Sequence, residues 1–343
     1  MSEKVIAIIS ERALDLDYPK SGEEIFLQGL LKVVKEMGFK VIKVYSKRLF
    51  EIERLRHIKP SQMHLVYVPL KSLLFLKKVF PQSKFIYHVY YLSYATLPKY
   101  SEIKWRAGLI FMSLFIDSYL ATSPILTRSL RLTTPFRDVF LLEPYYKCNY
   151  CSFNNNYELW SSKAEELKHG ILRVLYIGYV NQWRFPYRAI LHGLSKLKHR
   201  VYLFIYTVDK VNEAVYSYRN ITVSINPKYL TEDLKCDVYK RSHFFLYLPL
   251  KNVAIIPPIS LLEAVYHGAI PVVSNYVKKI VPGIPNINVV EDLSDLSSVI
   301  GSLADAVVAQ DYPFKALQKA FQHYYSKERF LSQLLSILRS LKS

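Results

Sequence analysis

Glu263 stands in the segment Pro257-Pro258-Ile259-Ser260-Leu261-Leu262-Glu263-Ala264, three residues after Ser260, and two chemistries are open to it. Ser260 and Glu263 have the spacing of a capping box, in which the carboxylate reaches back to an amide at the helix start. A carboxylate there can instead accept the two hydroxyls of a ribose. Arg184 closes the run Gly178-Tyr179-Val180-Asn181-Gln182-Trp183-Arg184, just before Pro186. Proline suits the first turn of a helix, and a guanidinium beside that N-terminus is placed to hold a diphosphate through paired hydrogen bonds. A solvated surface arginine fits the same local sequence. His88, at the end of KFIYHVYY, either donates to a reacting sugar or is a satisfied structural histidine. Gly22, in Pro19-Lys20-Ser21-Gly22, allows close backbone approach at a helix N-terminus, for a phosphate, a hydroxyl or a plain cap. Asn226-Pro227-Lys228 is a turn whose edge amides could read a nucleotide base.

Loops of this kind need a scaffold, and the hydrophobic pattern supplies one. Short apolar strands are expected at Val5–Ser10, Val41–Ser46, His64–Val68, Lys84–Tyr90, Ser118–Thr122 and Asp138–Leu142. Helical stretches fall between them at Ser21–Met37 and at about 70–79, 101–116 and 124–132. Residues 145–168 break the rhythm as an Asn-rich linker with a short helix. Alternation restarts at Leu172–Gly178 and continues through strands at 201–206, 221–225, 243–248, 270–274 and 286–290, again with helical stretches between. The expected class is α/β, with two doubly wound Rossmann-like domains. The first covers 1–165 and the second 166–311, and a C-terminal helical stretch at 312–343 crosses back to the first. In such sheets ligands sit beyond the carboxyl ends of the strands, where all five loops lie.

Composition narrows the partners. A chain of 343 residues, 51% hydrophobic, can bury two cores. The formal charge of +18 is spread over both halves and points to an anionic partner, a nucleoside diphosphate or a phospholipid surface among them. Dispersed basic residues without a nucleic-acid module argue against nucleic acid. Cys148 and Cys151 form a CxxC, but Cys236 is distant and no second pair completes a zinc site. The longest apolar run, Ala107 to Ile116, is too short to span a bilayer, and the N-terminus lacks signal-peptide regions. The expected location is the cytoplasm, with a peripheral contact at the inner membrane face as an option. The Leu/Phe/Trp-containing helix at 104–116 could make that contact; its nearly all-apolar pattern predicts a core helix instead.

With these residues placed, the chain resembles the retaining glycosyltransferases of the GT-B fold, especially glycosyltransferase family 4. IIPPISLLEAVYHGAIPVVS (255–274) is similar to that family's signature of Glu, seven residues, Glu-Ala, then Gly-x-Pro-Val-Val. IDSYLATS (116–123) resembles its Asp-to-Ser strand. The resemblance implies transfer of a sugar from a nucleoside diphosphate sugar to an acceptor hydroxyl, with no cofactor and no metal. It implies that Glu263 binds the donor ribose, Arg184 the diphosphate and His88 the sugar side. Gly22, Gly178, Asn226, Ser260 and Leu261 would line the donor. Departures are specific: Ile255 replaces the signature's first Glu, Pro257 and Pro258 remove two amides, and Tyr179 stands where an Arg often follows the glycine. The Gly-x-Gly expected after Leu203–Tyr206 is absent. These departures leave a second expectation open, a GT-B-shaped binding protein without turnover.

Overall fold

The computed structural model describes residues 5–10, 22–45, 49–90, 99–145, 156–228, 230–250, 258–278, 280–281, 284 and 287–341. The chain divides into two compact units, Met1–Tyr145 with Lys327–Ser343, and Tyr146–Ser326. Each unit is built on its own sheet.

Unit 1 alternates strands and helices: β1 (Val5–Ser10), α1 (Gly22–Glu36), β2 (Lys40–Tyr45), α2 (Leu49–Ile58), β3 (Gln62–Val66) and α3 (Leu70–Val79), then β4 (Lys84–Val89), α4 (Lys99–Met112), β5 (Ser118–Ala121), α5 (Pro124–Thr133) and β6 (Asp138–Leu141). The strand order is β2-β1-β3-β4-β5-β6, all parallel. Every side chain of β1, β3 and β5 is buried, as a parallel sheet covered on both faces requires. The local sequence starts α5 cleanly. Ser123 is its N-cap, accepting from Leu126 N at 3.3 Å, and Pro124 occupies the first turn, where a missing N–H costs nothing. The helix expected in the core over 101–116 is α4, and one side of it faces solvent. Leu109 and Ser113 turn inward, while Ile103, Ile110, Phe111 and Leu114 are exposed. A helix lying on one face of a sheet buries only the side that touches it.

Unit 2 contains α6 (Asn156–Lys168), β7 (Ile171–Ile177), α7 (Tyr187–Leu194), β8 (Arg200–Tyr206), β9 (Ala214–Tyr218) and β10 (Ile221–Asn226), followed by α8 (Glu232–Arg241), β11 (Phe244–Tyr247), α9 (Ile259–Tyr266), β12 (Ile270–Ser274), α10 (Asn275–Lys278), β13 (Asn288–Val290), α11 (Leu296–Val308) and α12 (Phe314–Tyr324). Its sheet runs β13-β12-β11-β7-β8-β10-β9. A helix was expected between each pair of strands, but β9 fills the space between β8 and β10 and pairs antiparallel along the sheet edge. Val215 on β9 is exposed, and so short an edge strand carries little apolar signal. Ala164 and Leu167 of α6 pack into the core of unit 2 with Leu172, Val174 and Phe244. The unit therefore begins ahead of this helix.

The last helix, α13 (Lys327–Ser340), belongs to unit 1. The stretch from 312 onward is thus two helices, and only the second is in unit 1. A buried carboxylate holds it there. Glu143 Oε2 accepts from Arg329 Nη2 at 2.7 Å and from Gln333 Nε2 at 3.1 Å, while Glu143 N donates to Gln333 Oε1 at 3.0 Å. Phe330 packs edge-on against Phe26 of α1 and against Tyr145.

In unit 2, α6 is tied down by a buried lysine. Lys163 Nζ donates to Ser242 O at 2.5 Å and to Gly268 O at 2.6 Å. Burial lowers its pKa to about 7. These carbonyls lie just past the C-termini of α8 and α9, where helices leave acceptors unsatisfied. Hydrogen bonds to a charged donor are the stronger kind, so Lys163→Met should destabilise unit 2 by about 2–4 kcal/mol. Urea unfolding measures the loss; unchanged stability would show that the two carbonyls do not depend on the lysine.

Candidate functional site

In unit 2 the chain builds outward from β7 to β8 and β10, then returns to the other side of β7 for β11, β12 and β13. The order reverses between β7 and β11. At such a reversal adjacent loops diverge and leave a crevice at the carboxyl ends of the strands. The loop holding Gly178 and Arg184 leaves β7, and α9, which carries Ser260, Leu261 and Glu263, follows β11. Asn226 ends β10 on the same edge. The sheet thus brings six of the expected residues to one edge.

The loop after β7 is braced from below. Tyr176 donates its hydroxyl to Tyr179 O at 2.7 Å and stacks on Phe185 at 4.0 Å. Gly178 leaves room for that hydroxyl, because a Cβ there would come within 2.9 Å of it. Gly178 N donates across to Tyr206 O. Asp209, two residues beyond Thr207, accepts from Val180 N at 2.5 Å. Asn181 starts a tight turn by accepting from Arg184 N at 2.9 Å. The Arg184 guanidinium then lies 5.0 Å from the ring centres of both Tyr179 and Trp183. Its Nε is buried with no hydrogen-bond partner among the described residues. Burial raises the Tyr247 hydroxyl's pKa, and the nearby Arg184 charge pulls it back, which puts the cation beside the end of β11. Helix α7 begins three residues later with Pro186 as N-cap and no side-chain cap. A cation with an unpartnered donor beside an uncapped helix start is suited to an anion.

Glu263 does not close a capping box. The N-cap of α9 is Pro258, without a side-chain bond, so Ser260 is already inside the first turn. Glu263 is buried and faces α8 instead. Its Oε1 accepts from Lys235 Nζ at 2.9 Å and its Oε2 from Tyr239 OH at 3.2 Å. Tyr239 stacks on His267 at 5.7 Å with nearly parallel rings and also donates to Ser260 O. Lys235 and Tyr239, four apart on one face of α8, are the partners that sequence reasoning missed. Their spacing was visible, but nothing in it named Glu263. Leu261 is fully buried, and its amide donates to Pro258 O at 2.9 Å. Asn226 keeps its side chain local, donating to Ser224 Oγ, while its carbonyl accepts from Thr207 N and Lys228 N.

In unit 1, Gly22 is the first residue of α1. Of the two readings of His88, the structure has the satisfied structural histidine, with its ring turned inward. Its ring is buried; Nε2 meets His64 Nδ1 at 2.8 Å and Nδ1 meets Tyr90 OH at 3.2 Å. Phe26 of α1 covers this chain edge-on. The alternation of β4 decides the direction, because His88 and Tyr90 share the side of the strand that α1 covers. Burial, with the neighbouring His64, lowers His88 well below the usual histidine range, so it acts as a neutral hydrogen-bonding group rather than a cation. The far nitrogen of His64, Nε2, has no partner among the described residues, and its ring lines a cavity of about 10 Å³ among Ile6, Ile8, Leu30 and Val34. Pro19, Lys20, Ser21, Cys148, Cys151, Ile255 and Pro257 lie outside the described residues. Among the described residues no group of three His, Cys, Asp or Glu could hold a metal ion.

No family's sequence profile matches the chain, and no curated protein matches it in sequence. Solved structures do match over the full length. A glycosyltransferase from Rickettsia africae ESF-5 aligns at a TM-score of 0.67 and 13% identity, covering 100% of both chains. Anabaena Alr3699/HepE, solved with UDP-glucose, aligns at 0.65 and 9%, covering 98% of this chain and 99% of that one. A UDP-forming α,α-trehalose-phosphate synthase from Burkholderia xenovorans aligns at 0.68 and 11%, covering 99% and 100%. The fold resembles that of GT-B glycosyltransferases, with two parallel-sheet Rossmann-like domains.

The buried histidines set an acid limit. Burial lowers folded His64 to about 4 from 6.5. Between these values the unfolded chain takes the proton first, so stability falls as pH falls through that window. His243, lowered to about 3, and His267, lowered to about 4, act in the same sense. From His64 alone, urea unfolding should give about 2 kcal/mol less stability at pH 5 than at pH 7. His64→Gln should shrink the pH dependence by that share. Equal pH slopes in the two proteins would mean that His64 is not a neutral buried group.

Proposed function

We propose that the chain is a glycosyltransferase that moves a sugar from a nucleoside diphosphate sugar to an acceptor hydroxyl, with retention at the anomeric carbon and without a metal. One observation carries this most directly: at the strand-order reversal of unit 2, Arg184 with its unpartnered Nε stands beside the uncapped start of α7. An anionic diphosphate is the ligand that suits a fixed cation near free helix amides. The sugar–phosphate bond breaks with its electron pair leaving on the diphosphate, and the acceptor oxygen bonds to the anomeric carbon as its hydroxyl proton passes to the departing diphosphate. Charge therefore develops on the leaving group, where a fixed cation and oriented amides stabilise the transition state. Glu263 anchors the ribose, held in place by Lys235 and Tyr239. Each oxygen of a carboxylate has a second lone-pair site, so these two bonds leave room for hydroxyl donors. Gly178, Ser260, Leu261 and Asn226 supply the surrounding turns and backbone. Unit 2 is the donor side and unit 1 the acceptor side, where Gly22 opens α1.

A binding protein of the same fold without turnover is the second reading, favoured by Ile255 in place of a carboxylate and by the Pro257-Pro258 pair. Release of free nucleoside diphosphate from the donor separates the two, since a pure binder releases none.

The donor site itself is tested by calorimetry with nucleoside and nucleoside diphosphate. Glu263→Gln replaces an acceptor of charge-assisted bonds by an amide, so both ligands should bind on the order of ten- to a hundredfold more weakly. Arg184→Ala should weaken the diphosphate and spare the nucleoside. Because Glu263 is paired with Lys235 inside unit 2, the first variant should also unfold more easily. Binding is therefore compared well below its melting temperature. Unchanged diphosphate affinity in both variants would remove the donor from this edge.

A further inference from the structure

Helix α4 carries an apolar stripe on its outer side. Ile103 is 66% exposed, Ile110 48%, Phe111 47% and Leu114, just past the helix, 63%. With exposed Ala107 they recur at three- and four-residue spacing, and at about 100° per residue they share an arc of about 100°. Lys104 and Arg106, both exposed, fall on opposite borders of that arc. The chain steps from β3 to β4, β5 and β6 in one direction across the sheet. Parallel crossovers are right-handed, so α3, α4 and α5 lie in one layer on one face.

The neighbours extend the same surface. Leu74 and Phe75 of α3 are exposed, and so is Leu132 of α5. Phe136 is 83% exposed, and Arg137 beside it donates from Nε to Ser113 O at 2.5 Å, which holds this loop against the end of α4. Neither α3 nor α5 contains an acidic residue, and Lys71, Lys78, Arg128 and Arg131 on them are exposed. Asp117 is occupied by Lys77 and by Phe85 N. Glu102 on α4 and Asp138 at the start of β6 are the remaining carboxylates of this layer. Among the described residues no helix is long and apolar enough to cross a membrane.

We propose that the α3–α5 face of unit 1 docks on an anionic phospholipid surface, with α4 lying in the interface and Ile103, Ile110, Phe111 and Leu114 entering the acyl boundary. Long cationic side chains on both borders of an apolar stripe match such a surface, because their stems lie along the apolar phase while their heads reach the phosphates. A contiguous apolar face of this kind is unusual on a chain that stays free in water. The inference is independent of the donor chemistry.

The test is flotation of the full chain with vesicles of phosphatidylcholine alone and of phosphatidylcholine with phosphatidylglycerol, across a salt series. Partitioning to the anionic vesicles should exceed that to the neutral ones at least tenfold and fall as salt is raised. The double variant Ile110→Ser/Phe111→Ser should lose at least tenfold in partitioning while still unfolding in one cooperative transition, since both side chains are half exposed. Lys78→Gln with Arg128→Gln should lose about tenfold and flatten the salt dependence. Equal partitioning to both vesicle types, or undiminished partitioning of the Ser variant, overturns the proposal. So does a dimer by light scattering that the Ser variant abolishes, with no vesicle binding by the parent; the face then belongs to a second copy.

Discussion

The bond from Lys163 to the carbonyls of Ser242 and Gly268 is the constraint on which the geometry of unit 2 rests. Ser242 is the C-cap of α8, and Gly268 follows the C-cap of α9 in a left-handed conformation that glycine tolerates. One ammonium therefore pins two helix ends at the amino-terminal edge of the sheet. The same two helices carry Lys235, Tyr239 and Glu263. His243 reinforces the arrangement: its Nδ1 accepts from Arg173 N, so its Nε2 bears the proton and donates to Lys163 O. The acceptor role at one nitrogen fixes the tautomer at the other.

The two units treat buried polar groups in opposite ways. In unit 2 a buried carboxylate accepts from a lysine and a tyrosine, each placed by one face of α8. In unit 1, His64, His88 and Tyr90 satisfy one another with neutral hydrogen bonds, and burial keeps the imidazoles uncharged. A charged group recognises a partner strongly but must be neutralised when that partner is absent. The neutral chain needs no counterion, and its polarity changes little when a ligand arrives.

Most strands were legible because parallel strands buried on both faces read as short unbroken apolar runs, as VIAIIS and IPVVS do. Helix α2 escaped because LFEIERLRHI mixes charge into every turn, and β9 because its edge position leaves it exposed. Loop positions were legible through the rule that sites gather at strand carboxyl ends, and the directions of side chains were not. His88 turned inward because strand alternation overrode its place near the strand end, and Glu263 found its partners 28 and 24 residues earlier in the chain. The apolar run that ends α4 failed as a burial signal for a related reason: apolar pattern states what can be buried, and the layer it joins states how much is.

The departures from the family pattern around β7 and β8 converge on one loop. Where a second cation was expected, Tyr179 lays its ring against Arg184, and Trp183 flanks the same guanidinium. Aromatic faces attract a cation without competing for its hydrogen-bond donors, so the guanidinium is localised while its edge stays available. Where a glycine pair was expected after β8, Thr207 and Asp209 fold back, and Asp209 takes the amide of Val180. A glycine loop gains close approach by lacking side chains and pays with mobility. Here a carboxylate fixes the facing loop instead, and the stacked aromatics do the same for the single cation. Electrostatic stabilisation depends on groups already in place when charge develops. In the reaction proposed above, one arginine held by Tyr179 and Trp183, on a loop braced by Tyr176 and Asp209, would meet that requirement with fewer charges.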